Sequence, residues 1–274
     1  MKKILVPTDF SPQAENALKV AAQLAKKHRC AIHLLHIIEL PLQKVDPILA
    51  NNDLPEAIFF MKLTSKHFET LLKNDYLKDI TIHQHVEFND IFKSVFHVCE
   101  KHNIDLIIMG SKGTSGLTEM LIGSNTEKVV RTSVVPVLVV KKEHETFKID
   151  NFVFASDFND ESKIPFTKAT DFAKLLKAKI HLLLVNTPNK FMTTFEAEER
   201  MLNFTKHVDF KNFSINIYND ETIESGIMNY AQSINADLIG MSTHGRQGLS
   251  HFFNGSISED LVNHAKRPVM TFKI

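Results

Sequence analysis

Short runs of consecutive apolar residues alternate along this chain with longer stretches in which apolar positions recur every three or four residues. Lys3–Val6 reads as a short buried strand. Ala14, Ala17, Leu18, Ala21, Leu24 and Ala25 then share one helical face behind Ser11-Pro12, a hydroxyl cap followed by a first-turn proline. Ile32–Ile38 predicts a second strand, Ile58–Leu72 a helix, Ile80–Val86 an extended segment and Ile91–His102 another helix. Leu106–Met109 is a wholly apolar strand, Asn125–Arg131 a helix, and Val134–Val140 a last strand interrupted by Pro136. Strands apolar at every position, separated by helices, belong to a parallel sheet covered on both faces. Right-handed crossovers wind such a sheet into the doubly wound, open α/β form.

The chain carries this pattern twice. Ile4-Leu5-Val6 before Asp9 returns as Phe152-Val153-Phe154 before Asp157, and Ile32-His33-Leu34-Leu35 returns as Ile180-His181-Leu182-Leu183, both at an offset of 148. Asp105-Leu106-Ile107 returns as Asp237-Leu238-Ile239 at an offset of 132, and Gly113/Gly245, Gly123/Gly255 and Pro136/Pro268 keep that second register. The first copy therefore holds sixteen extra residues between His33 and Asp105. Two domains are expected, 1–143 and 149–274, joined through the polar stretch Lys142–Ile149. In the second copy Phe152–Ala155, Ile180–Val185, Leu238–Met241 and Val269–Phe272 are the matching strands, and Pro165 predicts a first helix that starts later than its counterpart.

Composition narrows the picture only modestly. The 274 residues are 43% hydrophobic and 23% charged, with 32 basic residues balancing 32 acidic ones. Zero net charge argues against a chain that coats nucleic acid or an anionic membrane. The apolar run after Met1-Lys2-Lys3 is too short for a signal-peptide core, and no run long enough to cross a bilayer occurs, so a cytoplasmic protein is expected. Cys30 and Cys99 stand apart from any Cys-x-x-Cys and read as packed, inert thiols.

Ligands of open α/β sheets bind beyond the carboxyl ends of the strands, where the strand order reverses. The first strand ends in Pro7-Thr8-Asp9, and the fourth in Gly110-Ser111-Lys112-Gly113, with Gly123-Ser124 nine residues further on. Glycines let the backbone approach a ligand, and a helix opening at Gly123-Ser124 offers free amides and a positive dipole end to phosphate. Ser124 and Thr126 can add hydroxyl donors, and Asp9 can accept from a base amine or a ribose hydroxyl. Asp9 and Asp157 are equally suited to cap the turns that follow them. No Walker A sequence and no nucleophile elbow is present.

The spacing Gly110-x2-Gly113-x9-Gly123-Ser124 behind Leu106-Ile107-Ile108-Met109 resembles the ATP-binding signature of the universal stress protein family. The opening Ile4-Leu5-Val6-Pro7-Thr8-Asp9-Phe10-Ser11 is similar to that family's first strand and turn, and the duplication resembles its tandem members. The resemblance implies two Rossmann-like, five-stranded domains of the adenine nucleotide alpha-hydrolase-like type. It implies ATP, with Mg as a companion ion, held in the first copy by Pro7, Thr8, Asp9, Ile37, Gly110, Lys112, Gly113, Gly123, Ser124, Asn125 and Thr126. In the second copy Asp157, Gly245, Gly255 and Ser256 keep the pattern, whereas Ser242 replaces Gly110 and Ala155-Ser156 replace Pro7-Thr8. A Cβ at Ser242 would obstruct a close backbone approach, or a positive φ if Gly110 uses one, so the first copy is expected to hold the better site.

The resemblance also implies that the last strand of each copy, Val134–Val140 and Pro268–Phe272, pairs with the other about a pseudo-two-fold axis, with a homodimer of whole chains as a further option. Three functions are weighed: an ATP-binding stress or regulatory protein, a very slow ATP hydrolase, and a nucleotide-free pseudo-dimeric scaffold. Phosphoryl transfer needs metal-supported charge neutralisation, and no acidic pair beyond Asp9 supplies it, so catalytic residues are not expected. His83-x-His85 would share a strand face, yet no neighbouring Cys, Asp or Glu cluster completes a metal site, and none is expected; His33 and His181 read as core or sheet-edge residues. Lys112, His244 and Arg246 read as loop residues with a place near phosphate. Phe59-Phe60-Met61 and Phe191-Met192 read first as core and second as an apolar lid or partner surface.

Overall fold

The structure is a computed structural model of the chain and describes residues 1–38, 53–88, 90–111, 123–206, 208–243 and 261–274. The first half runs β1 (Lys3–Pro7), α1 (Pro12–His28), β2 (Ala31–Ile38), α2 (Asp53–Leu71), β3 (Ile82–Phe88), α3 (Ile91–His102), β4 (Leu106–Gly110), α4 (Ser124–Thr132) and β5 (Val137–Val140). The second runs β6 (Asn151–Ala155), α5 (Lys163–Leu176), β7 (Lys179–Asn186), α6 (Thr194–Thr205), β8 (Phe213–Asn219), α7 (Ile223–Ser233), β9 (Leu238–Thr243) and β10 (Val269–Lys273). Residues 261–264 are also helical.

All ten strands join one sheet in the order β3-β2-β1-β4-β5-β10-β9-β6-β7-β8. Each half is parallel within itself and repeats the same strand order, so each reverses direction of winding beside its first strand. The joint is antiparallel: Leu138 of β5 faces Met270 of β10.

Period-two alternation divides the strand side chains between two apolar layers. Ile4, Val6, Leu106, Ile108, Leu138 and Val140 face α1 and α2, while Leu5, Ile107, Met109, Val137 and Val139 face α3 and α4. The first layer continues into the second half through Phe152, Phe154 and Phe272, so one core crosses the joint. Both faces are covered, as the uninterrupted apolar strands require.

The repeat extends to backbone detail. Arg29 and Lys177 close α1 and α5 with φ of 55° and 60°, and Asn103 and Asn235 follow α3 and α7 with φ of 51° and 49°. Asp105 Oδ2 accepts from the Lys2 and Lys3 amides, and Asp237 Oδ2 accepts from Asp150 and Asn151 in the same way. The matched Asp-Leu-Ile triplets thus clamp the start of each first strand.

Several boundaries differ from the expectation. β5 begins only at Val137, because Ser133 folds onto Val135 through its hydroxyl and Pro136 has no N–H to give the ladder. Phe59 and Phe191 are exposed rather than core. On α2 the buried side is marked by Thr64 and Phe68, and Phe59, nine residues from Phe68, falls half a turn away. The Asn186 amide holds both the N–H and the carbonyl of Met192, fixing the chain beside Phe191. The polar connection 142–149 is anchored rather than loose: Phe147 and Ile149 are buried, and Gln23 of α1 bonds Phe147 N and His144 O. Cys30 and Cys99 are buried free thiols, pushed upward in pKa by burial, Cys99 to about 12. Among the described residues no helix is long and apolar enough to cross a membrane.

One exchange tests the packing directly. Ile4 and Ile108 of the first half correspond to Phe152 and Gly240 of the second, and an ideal Cβ at Gly240 would sit 2.4 Å from Phe152 Cε2. A large ring and a glycine share the space that two branched side chains fill elsewhere. Gly240→Ala alone is expected to destabilise by about 1–3 kcal/mol in urea unfolding. Adding Phe152→Leu should recover much of that loss, a coupling that a double-mutant cycle reads out.

Candidate functional site

The turn after β1 is built by its own side chains. Thr8 Oγ1 accepts from Phe10 N at 3.0 Å and Asp9 Oδ1 from Ser11 N at 3.1 Å, which together hold Phe10 at φ 62°. Ser11 then caps α1 by accepting from Ala14 N. A bulky aromatic residue in the left-handed region is unfavourable, so these bonds and the packing of its ring must offset the strain. The ring lies against His36, His67 and Phe68, at centroid distances of 4.7, 4.9 and 5.2 Å. Asp9 therefore does cap its turn, while remaining half-buried at the carboxyl end of the sheet.

Neighbouring strand ends complete the setting. Pro7 pairs with Leu35 of β2, and His36 Nδ1 lies 2.8 Å from Thr8 O. Burial lowers the His36 pKa, against the opposing pull of the Thr8 carbonyl. Ile37 is half-buried and packs toward the α3 side of the core. On the other flank β4 pairs with β1 and ends at Gly110. Gly123 N donates to Ser111 O at 2.8 Å, and the buried Thr126 hydroxyl donates to Gly110 O at 2.9 Å. These two bonds fasten the start of α4 to the end of β4. Ser124 and Asn125 are exposed there, and the first amides of a helix have no intrahelical carbonyl to bond. Thr126, expected as a phosphate donor, spends its hydroxyl proton on the strand. Lys112, Gly113, Gly245, Gly255 and Ser256 lie outside the described residues, as do His244 and Arg246.

Gly110 owes its identity to helix packing. No glycine among the described residues has a positive φ, but a Cβ at Gly110 would lie 2.6 Å from Gln13 O in the first turn of α1. The second half resolves the same contact differently. There α5 begins at Lys163, three positions later in the repeat register than α1, and a short 3-10 turn, Asp160–Ser162, stands in for the missing turn of helix. The room released admits the fully buried Ser242, whose Oγ lies 3.5 Å from Ser162 Oγ.

That rearrangement also captures the aspartate. Asp157 is 7% exposed. Its Oδ1 accepts from Asn159 N and Ser162 Oγ, and its Oδ2 from Asn159 Nδ2 at 2.9 Å. Arg200 of α6 reaches its carbonyl. In the first half Ser11 and Ala14 stand where Asn159 and Ser162 stand, so this side-chain clamp is specific to the second half. His36, Asn159, Ser162 and Arg200 escaped sequence reasoning; His36/Leu184, next to the shared Ile-His-Leu-Leu, and Ala14/Ser162 are polar-for-apolar exchanges that carried a faint signal. Gly110→Ala should displace the first turn of α1 and cost about 1–3 kcal/mol in chemical unfolding, whereas Ser242→Ala should cost less than about 1 kcal/mol.

Known proteins share both the sequence and the architecture. The sequence profile of the Universal stress protein family matches residues 1–141 and 217–273. A universal stress protein of Methanocaldococcus jannaschii is 34% identical over 160 residues, covering 52% of this chain and 96% of that one. A universal stress protein of Synechocystis is 22% identical over 294 residues that span all of both chains. The crystal structure of a universal stress protein from Archaeoglobus fulgidus superposes with a TM-score of 0.71 over 99% of this chain and 98% of that one; at 21% identity the likeness concerns the fold. Since that profile matches parts of both halves and more than half of the residues, this chain belongs to the universal stress protein family, in the tandem arrangement of two domains.

Proposed function

We propose that the protein is a stress-response or regulatory protein that binds ATP in its first half, at the carboxyl ends of β1 and β4. The observation that carries the reading is the start of α4, fastened to the end of β4 beside the β1 turn with Ser124 and Asn125 exposed. A helix start fixed at the point where strand order reverses presents amides and dipole to an anion. The residues fit the group: small hydroxyl and amide side chains at the helix start for phosphate, and Asp9 at the neighbouring strand end for adenosine. In ATP-binding members of the family the aspartate after the first strand and the end of the second hold adenosine, while the glycine loop and Gly-Ser helix start hold ribose and phosphates. By that resemblance Pro7, Thr8, Asp9 and Ile37 take the first role, and Gly110, Lys112, Gly113, Gly123, Ser124 and Asn125 the second, while the Thr126 hydroxyl holds the helix start against β4.

The second half supports a different reading for itself. Asp157, 7% exposed and already accepting three hydrogen bonds from Asn159 and Ser162, has little surface and little acceptor capacity left to offer a ligand. We therefore assign domain 149–274 the part of a structural partner, joined to domain 1–143 through β5 and β10, with Asp157, Gly245, Gly255 and Ser256 as remnants of a shared ancestral site. A regulatory output follows if ATP binds one state of the protein better than another.

Titration with Mg-ATP is expected to give one nucleotide per chain and a rise in thermal stability. At 100 times the dissociation constant the gain is about 2.7 kcal/mol. Gly123→Val and Gly113→Val should abolish that rise, and Asp157→Asn should leave it in place. Phosphate release under the same conditions should stay at background. Two nucleotides per chain, or an undiminished response in both valine variants, would overturn the assignment.

A further inference from the structure

At the amino end of the first-half sheet, away from the proposed nucleotide site, three histidines from distant parts of the chain converge. His33 lies on β2, His85 on β3, and His102 is the last residue of α3. One ring nitrogen from each falls within 4.8 Å of those of the other two. His33 Nδ1 is 2.9 Å from His85 Nε2, and the His102 ring lies 4.9 and 4.7 Å from the other two by centroid. His33 is 3% exposed, and its Nε2 has no hydrogen-bond partner among the described residues. A buried polar nitrogen left in that state calls for a reason.

The second half indicates what a merely structural histidine needs here. His181 occupies the place of His33, and its two nitrogens are satisfied by Asn151 Oδ1 at 3.0 Å and Ser214 Oγ at 3.1 Å. In the strand register Ser214 and Asn216 replace His83 and His85, and Ile234 replaces His102. One imidazole at this position requires a hydroxyl and an amide. The first half surrounds it instead with further imidazoles, including the exposed His83 with its ring 4.8 Å from that of His33.

We propose that His33, His85 and His102 bind a divalent transition-metal ion, with Zn2+ as the natural occupant, leaving a fourth position to water or to His83. Imidazole nitrogens suit zinc, copper and nickel, and the absence of a carboxylate from the cluster disfavours magnesium and calcium. Zn–N bonds of about 2.0–2.1 Å at tetrahedral angles set the donors about 3.3 Å apart. Closing the three donors from within 4.8 Å to that spacing calls for movement of His85 and His102, both of which are only half-buried. Lys3, whose Nζ donates to His102 O at 2.7 Å, opposes the added charge and keeps the affinity below that of a thiolate site.

The test uses the untagged full chain, stripped with chelator and titrated with ZnCl2 by calorimetry without nucleotide. One Zn2+ per chain is expected, with a nitrogen-dominated shell in X-ray absorption. His85→Gln and His102→Ala should each weaken binding at least about tenfold while leaving the thermal unfolding of the metal-free protein close to that of the parent. His181→Gln should leave zinc affinity unchanged. Failure to take up one equivalent, or uptake indifferent to both His85→Gln and His102→Ala, overturns the proposal, as would a shell of sulfur ligands.

Discussion

A strand with apolar helices on both faces cannot end a sheet in open water without leaving its outer amides and carbonyls unpaired. β5 is in that position: Val137, Leu138, Val139 and Val140 are all almost completely buried, and so are Val269, Met270 and Phe272 of β10. Their antiparallel ladder supplies each with the partner that its own half lacks. The continuous sheet, the core shared across the joint and the anchored connection all follow from that requirement. It also explains why the repeat is expressed as a mirrored strand order about the joint rather than as two bodies on a string.

Much of this was legible because the strands are apolar on every residue and the repeat keeps its register. α3 spans Ile91–His102, as its pattern predicts, because Asp90 caps its start and Asn103 closes it in the left-handed region. Pro165 pointed to a late start for α5 and lies in its first turn, but a second change accompanies that start. A glycine allows α1 to press onto β4, and the serine in its place goes with a helix that begins later. Such a change joins residues about eighty positions apart and leaves no periodic trace. Glycine 110 looked like a residue chosen for backbone freedom, and its conformation is ordinary; the constraint is steric and comes from the neighbouring helix.

The candidate site was legible in outline and not in its hydrogen bonding. Sequence placed Asp9 and Asp157 in the same role, and their turns are indeed the same down to the strained Phe10 and Phe158. What separates them is whether the third and sixth residues of the turn carry the amide and hydroxyl groups that clamp the carboxylate, as Asn159 and Ser162 do for Asp157. The histidine cluster was invisible for a related reason. His33, His85 and His102 lie on three elements whose neighbourhood is decided by strand order and helix placement, and the adjacent pair His83-x-His85 contributes only one of the three.

The short anchored connection between β5 and β6 has a consequence for how the protein behaves in dilution. Two separate chains meeting edge to edge obey mass action and part when scarce. Here both edges are carried by one polypeptide, so their encounter is first-order and indifferent to how many copies a cell holds. Each half is also freed from the identity that a symmetric pair of chains would impose. One aspartate turn was able to acquire Asn159 and Ser162, and one histidine to acquire imidazole neighbours, without the other half having to follow.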